Sequence, residues 1–321
     1  MNKVMDKSSK VTPRVLVMMG SYNGEEYIAQ QIDSILAQQN VEVELMICDD
    51  GSTDKTCNIC ESYALEFSLV TFKRNSSNKG VTRNFMDMLF EADGKRYDYY
   101  AFSDQDDYWL PEKLEKAIEA LEKEGQEPAL YYSDVCNTDE NLQGEEYEYA
   151  PFSVCSENLP TLLVNNWASG CTMVFNSGLR DLICSFRPVV YPRMHDAWIH
   201  LIALSCAKCI PDLDHSYIKR RISGKNAVGH VGFGNVDLDR IKGIAERLVS
   251  SADHHGTEAA RALLTGYAVY MSPKTKRVVS NFALMKVSPL LRVKNALSKK
   301  YYLPYENETF LLSFRILLNK I

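Results

Sequence analysis

Three features of the chain predict an α/β fold, a mostly parallel sheet flanked by helices, with a helical extension at the C-terminal end. Short β-rich runs alternate with helical patterns from residue 14 onward, those runs are apolar at nearly every position, and strand patterns fade beyond residue 233. Continuous apolarity is what a strand needs when helices cover both faces of its sheet. The 321 residues are enough for roughly two domains. The expected division is an α/β domain over 1–233 and a helical region over 234–321.

VLVMM (15–19) and VELMIC (43–48) read as strands, separated by the helical pattern EEYIAQQIDSILAQQ (25–39). A second helix is expected over 54–67, a third strand at SLVTFK (68–73), a helix over 82–92 and a strand at YDYYAFS (97–103). Pro111 opens a helix that runs to Lys123, since proline loses nothing at a first turn, where its N–H would have no partner. ALYYSDV (129–135) and GCTMVFN (170–176) read as further strands on either side of an acidic, tyrosine-rich stretch, and 196–207 as an amphipathic helix.

A hydrophobic share of 45% with 24% charged residues removes the disordered, collagen-like and disulfide-scaffold classes. A net charge of −6 denies the chain the global basic field that holds nucleic acid, so no nucleic-acid partner is expected. The nine cysteines are odd in number and sit among apolar neighbours, and no apolar leader opens the sequence, which together predict a reducing, cytoplasmic location. The pairs Cys57/Cys60 and Cys206/Cys209 read as buried structural thiols rather than a zinc site. No apolar run reaches the roughly 18 residues of a membrane span.

In a parallel α/β sheet, ligands gather at the carboxyl ends of the strands. Three such ends are chemically loaded: Gly20-Ser21-Tyr22-Asn23-Gly24-Glu25, Asp49-Asp50-Gly51-Ser52-Thr53-Asp54 and Ser103-Asp104-Gln105-Asp106-Asp107. Asp54 or Ser52 suits a helix cap. The adjacent acids at 49 and 50 exceed what a cap needs, and one of them can accept hydrogen bonds from a nucleobase imide or a ribose. Clustered carboxylates repel one another unless a cation lies between them. The D-x-D pair Asp104 and Asp106 is therefore the expected ligand pair for Mg²⁺ or Mn²⁺, while Asp107 is better explained as an acid at the start of the following helix.

The ordered set S-Y-N-G-E-E-Y (21–27), D-D-G-S-T-D (49–54), N-x-G-x-x-x-N (Asn78, Gly80, Asn84), S-D-Q-D-D-x-W (103–109), G-C-T-M (170–173) and H-D-A-W (195–198) resembles the inverting family-2 glycosyltransferases, and among them the rhamnosyltransferase-like branch. That resemblance, over residues 14–230, implies a GT-A fold, a nucleotide diphosphate sugar donor, a saccharide or lipid-linked saccharide acceptor, and a metal on Asp104 and Asp106. By the same mapping Ser21, Tyr22, Asn23, Glu25, Asp50, Asn78, Gly80 and Arg83 belong to the donor site, with Asp104 beside them. Asp196 resembles the family's catalytic base, and the chemistry agrees: inverting transfer needs a carboxylate opposite the leaving diphosphate to take the acceptor's proton. The competing reading of His195-Asp196 is a helix cap. Trp109 and Trp167 are candidate sugar platforms.

The chain departs from the family pattern at 220–226, where R-R-I-S-G-K-N puts Ser223 at the position of a histidine. Arg220, Arg221 and Lys225 are expected to neutralise the departing diphosphate instead, with His230 as a further candidate. Two alternatives compete with sugar transfer. A nucleotidyltransferase would want a basic loop after the first strand, which 20–24 lacks; a degenerate binding subunit would not need Asp104, Asp106 and Asp196. Finally, residues 272–304 carry eight basic residues and no acid, interleaved with apolar ones, and are expected to attach the protein peripherally to an anionic membrane surface.

Overall fold

The computed structural model describes residues 11–222 and 256–319. Strand and helix alternate through β1 (Arg14–Ser21), α1 (Ile28–Leu36), β2 (Glu42–Asp49), α2 (Thr56–Glu66), β3 (Val70–Arg74), α3 (Val81–Glu91) and β4 (Tyr99–Ser103). Then come β5 (Tyr108–Trp109), α4 (Lys113–Lys123), β6 (Ala129–Ser133), β7 (Cys136–Thr138), β8 (Glu146–Tyr147), α5 (Leu159–Leu162), β9 (Val174–Asn176), α6 (Ser177–Cys184), α7 (His195–Cys206), β10 (Lys208–Asp212) and β11 (Ile218–Arg221). Residues 256–319 add α8 (Gly256–Tyr267), α9 (Pro273–Leu284), α10 (Pro289–Ala296) and α11 (Glu306–Leu317).

Seven strands form the main sheet in the order β10-β6-β9-β4-β1-β2-β3. All its pairs are parallel except those of β9, which runs antiparallel to both β4 and β6. A smaller sheet, β5-β11-β7-β8, lies beside it. Alternate residues of β1 feed two cores: Leu16 and Met18 pack with Phe85, Met86 and Trp198, whereas Val15, Val17 and Met19 pack with Ile28, Ile32 and Ile118. Burial on both faces is the reason for the continuous apolar runs, each enclosed Leu, Ile or Val contributing about 1.5–3 kcal/mol.

Four expectations are corrected. The helix expected from residue 25 begins at Ile28, because Tyr27 N and Ile28 N first fold back on Gly24 O at 3.2 and 3.1 Å. The strand expected over 129–135 stops at Ser133, because the buried Asp134 turns the chain out of the main sheet, its Oδ1 accepting from Val135 N and Tyr149 N at 2.6 Å each, before β7 starts at Cys136 in the smaller sheet. The run 170–176 starts as a 3₁₀ turn, Gly170–Thr172, before β9. And α7 is not amphipathic: all its residues but Asp196, Leu204 and Cys206 are buried, since it lies between the sheet and the C-terminal helices.

Ser272 and Ser288 cap α9 and α10, each followed by a proline that fits a first turn. The segment 256–319 joins the same core as Leu16 and Met18 of β1, through Tyr267 of α8, Val279 and Phe282 of α9, and Tyr301 after α10. Polar ties reinforce the packing: Tyr267 Oη donates to Ile183 O (2.9 Å) and Phe186 O (3.1 Å), and Thr161 Oγ1 donates to Tyr302 O (2.9 Å). Among the described residues no helix is long and apolar enough to cross a membrane.

Candidate functional site

The loops after β1, β2 and β4 meet because these strands are neighbours in the sheet. The β1 loop is held from both sides. Toward β2, Asn23 N donates to Ser52 Oγ (2.8 Å), Asn23 Oδ1 accepts from Thr53 N (2.9 Å), and the Glu25 carboxylate accepts from Lys55 N (2.8 Å). Toward β4, Tyr22 N donates to Gln105 Oε1 and Gln105 Nε2 donates to Tyr22 O, both at 2.9 Å. Gly24 leaves room for this clamp, since a Cβ there would lie 2.2 Å from Gln105 Oε1. Asn23 and Glu25, expected in the donor site, thus join the two loops, and Ser21 is buried as a donor to Asp49 (3.0 Å). The Tyr22 ring stands exposed above them. Gln105→Ala should weaken nucleotide diphosphate binding by up to about 30-fold, because it removes two hydrogen bonds of about 1 kcal/mol each and releases the Tyr22 backbone. Titration calorimetry checks this, and unchanged affinity would show the clamp to be idle.

The adjacent acids at 49 and 50 divide. Asp49 is fully buried and accepts from Gly51 N (3.0 Å), Ser52 N (2.8 Å) and Cys57 Sγ (3.3 Å). Burial pushes its carboxyl up, but hydrogen bonds led by Ser52 outweigh that and hold it below the usual range. Asp50 accepts from Asn75 Nδ2 (2.9 Å), Lys79 N (2.8 Å) and Gly80 N (2.8 Å), clasping the turn that starts α3. Gly80 sits at φ +79°, where L side chains are strained, and Asn78 Oδ1 also accepts its N–H at 3.0 Å. Arg83 lies one turn on, exposed and 3.6 Å from Asp87. Asp54, expected as a cap, stands one residue ahead of the cap position of α2, which is Lys55; its carboxylate accepts from Thr56 N (3.0 Å) and Glu25 N (3.1 Å) in the turn before the helix.

At the end of β4, Asp104, Asp107 and Cys171 bring ligand atoms within 4.8 Å of one another. Asp107 is 1% exposed and its Oδ2 has no partner among the described residues. It precedes β5 rather than opening α4, so the helix-start explanation for it fails. Burial, then the charges of Asp106 and Asp196, push Asp104 up to about 7; burial, then Asp106 and Asp104, push Asp107 well up; burial pushes Asp106 up. An orphaned carboxylate oxygen beside two further acids is a donor set suited to a hard divalent cation. Cys171, from the G-C-T-M motif, reaches the same cluster.

Trp109 and Trp167 are fully buried, so neither is a sugar platform. Lys113 Nζ lies 3.7 Å over the Trp109 ring, where burial pushes the ammonium down to about 7, and Trp167 stacks on Phe152. The smaller sheet pairs β11 with β5 and brings both arginines to the acid loop. Arg220 faces the acids and lowers all three while bonding Asn137 Oδ1 (3.0 Å) and pairing with Glu148. Arg221 departs from its expected phosphate role. It is 2% exposed and donates to Asp106 O (2.7 Å), Asp107 O (3.3 Å) and Glu140 O (3.1 Å), a clamp on the loop itself. Ser223, Lys225 and His230 lie outside the described residues.

Asp196 stands in the first turn of α7, whose cap is Met194, so the cap reading of Asp196 fails. Its charge acts on Asp104, and Asn166 Nδ2 donates to its Oδ2 at 3.3 Å. The adjacent His195 is buried and stacks on Phe85 at 4.3 Å. Gly170 admits that ring, since a Cβ there would come within 2.6 Å of His195 Nε2. The motifs G-C-T-M and H-D-A-W are thus one packed unit. Sequence reading missed Gln105 and Asn166. For Gln105 the paired Gly24 was a signal; for Asn166, one of two adjacent asparagines after an apolar run, nothing in the neighbouring residues set it apart.

Residues 16–183, just over half of the chain, match the family model for glycosyl transferase family 2. The chain is 42% identical over 105 residues to the dTDP-rhamnosyl transferase RfbG of Shigella flexneri, covering 32% of this chain and 36% of that one. It is 41% identical over 112 residues to the putative glycosyltransferase EpsE of Bacillus subtilis, covering 35% and 39%. The match therefore spans little more than a third of those relatives' length. Among solved structures, S. aureus TarS 1-349 in complex with UDP-GlcNAc superposes with a TM-score of 0.54 at 16% identity, covering 95% of this chain and 90% of that one. The mannosyltransferase PcManGT of Pyrobaculum calidifontis, in complex with GDP-Man and Mn²⁺, gives 0.53 at 16% identity, covering 96% and 86%. The fold is thus GT-A, and the chain belongs to glycosyl transferase family 2.

Proposed function

We propose that the protein transfers one sugar, with inversion, from a nucleotide diphosphate sugar to a saccharide or lipid-linked saccharide acceptor. The observation that carries this reading is the acid cluster at the carboxyl end of β4, in a chain of glycosyl transferase family 2: Asp104 and Asp107 bring ligand atoms within 4.8 Å of each other, and the buried Asp107 Oδ2 has no partner among the described residues. Asp196 takes the proton of the attacking hydroxyl. Asp104 and Asp106, with Asp107 beside them, would hold Mg²⁺ or Mn²⁺, which when bound neutralises charge on the leaving diphosphate. Arg220 adds a positive charge on the same side. The exposed Tyr22 ring and the Asp50 carboxylate wall the nucleoside, and the rhamnosyl relative favours a dTDP-rhamnose donor. A thermal-shift panel of dTDP, UDP, GDP and their sugars, with and without Mn²⁺, tests it. Saturation at about 100 Kd stabilises by about 2.7 kcal/mol. A flat response to the whole panel would sink the reading.

What supports peripheral contact with an anionic membrane at the cytoplasmic face is the surface of α9, α10 and the turns around them. Val287, Leu290 and Leu297 are 67%, 84% and 79% exposed, beside exposed Lys294, Lys299 and Lys300. Two basic residues of the segment are spoken for: Lys286 pairs with Glu258, and Arg292 Nη1 donates to Met285 O (3.1 Å) at the end of α9. Anionic lipid should retain the protein at about 1 kcal/mol per basic residue near the surface. Sedimentation with phosphatidylserine vesicles, lost in high salt and in a Lys294/Lys299/Lys300→Glu variant, is the expected result. Equal recovery with phosphatidylcholine vesicles would count against it.

A further inference from the structure

Asp196 is held by a side chain that is itself held. Asn166 Nδ2 donates to Asp196 Oδ2 (3.3 Å) and to Ala168 O (2.8 Å), while Asn166 Oδ1 accepts from Ala168 N (3.4 Å) and meets His200 Nδ1 at 3.0 Å. These contacts fix the amide's direction: its NH₂ faces two acceptors, so its oxygen must face donors. His200 therefore carries its hydrogen on Nδ1. The ring is fully buried against Tyr132 and Trp167, at 4.8 and 5.4 Å between centroids, and its Nε2 has no partner among the described residues. Burial, then Arg193, push His200 down to about 3, so it stays a neutral donor. Trp167 Nε1 donates to Tyr132 Oη at 3.2 Å and fixes the cage.

We propose that Asn166 is the positioning residue of Asp196, and that neutral His200 holds Asn166 in the orientation that donates to the carboxylate. The proposal rests on reading Asp196 as the acceptor's base. A lone aspartate at the surface of a helix turns freely about its side-chain bonds. With Oδ2 held by Asn166 and Oδ1 bonded to Ala197 N (2.6 Å), the carboxylate keeps one aim, and misplacement by about 1 Å can cost about 100-fold in rate.

The test compares Asn166→Leu, His200→Leu and His200→Asn, each alone and with Asp196→Asn. Turnover is followed with dTDP-rhamnose, UDP-GlcNAc and GDP-mannose, and binding of dTDP, UDP and GDP is followed by calorimetry. Both leucine variants should lose about 10- to 100-fold in kcat with nucleotide affinity unchanged. His200→Asn, whose Nδ2 can stand where the ring Nδ1–H stood, should recover most of it. In the Asp196→Asn background the leucine changes should add nothing. Full kcat in Asn166→Leu, equal loss in both His200 variants, or loss of melting temperature alone would overturn the proposal. Full kcat in Asp196→Asn would instead overturn the base assignment on which it rests. A readout independent of turnover and of the variants' folding is the ¹⁵N and ¹³C signature of His200. The Nδ1–H tautomer is expected; the Nε2–H tautomer would turn the Asn166 oxygen toward Asp196 and end the proposal.

Discussion

Asp196→Asn should lower sugar transfer by about 10²- to 10⁴-fold while leaving nucleotide diphosphate affinity within about twofold, because the amide cannot take a proton but keeps the shape of the carboxylate. The loss should fall on kcat. The Asp196 side chain meets Asn166 and raises Asp104, but among the described residues it bonds neither of the loops after β1 and β2, where the nucleoside is proposed to sit. Rates of nucleotide diphosphate release with and without acceptor, alongside calorimetry with dTDP and UDP, separate the two effects. A variant that transfers normally, or one that fails to bind nucleotide, would remove Asp196 from the role.

Removal of metal should have the second largest effect. Asp104 is pushed up to about 7 by burial and by Asp106 and Asp196, so in the metal-free protein it holds a proton that the unfolded chain has shed. A carboxyl raised on folding stabilises less as pH climbs through the interval between its unfolded value and its folded one, because the native state binds more protons there. A cation needs the deprotonated form. Mn²⁺ affinity should therefore rise with pH, by up to about tenfold per unit below about pH 7, and level off above it. The gap in melting temperature between Mn²⁺-loaded and EDTA-treated protein should widen over the same interval. Asp104→Ala or Asp106→Ala should abolish both the gap and the metal-dependent part of nucleotide binding. A gap that is constant with pH, or one that survives Asp104→Ala, would move the cation elsewhere.

Much of this architecture was legible because strand and helix periods are written directly in residue type. The runs at 15–19, 43–48 and 97–103 became β1, β2 and β4, and their loaded carboxyl ends did come together. What escaped reading was set by contacts between remote segments. The run 129–135 could not reveal that the buried Asp134 ends β6 and turns the chain toward β7 in the smaller sheet. An Arg-Arg pair reads as available charge; the pairing of β11 with β5 consumes one of the two in holding main-chain carbonyls. A tryptophan at a strand end looks the same in sequence whether it faces a sugar or a lysine, and only the surrounding packing decides. Asn166 is the sharpest case, because its meaning lies wholly in Asp196 and His200, which belong to a helix formed later in the chain.

The reversed direction of β9 has a consequence for how the two halves of such a molecule can vary. In β1, β2 and β4 the chain leaves the sheet at the working edge, so each loop there is launched from a strand and returns through a helix. In β9 the chain arrives at that edge first, through 166–173, and departs from the opposite one. Insertions upstream, between β8 and β9, can therefore lengthen or shorten without touching the pairing of β1 with β2 and β4, which is made before that segment and without it. The arrangement separates heritable change on one bank of the cleft from change on the other. New partners can be tried on the arriving side while the launched loops keep a grip that took three strands to build.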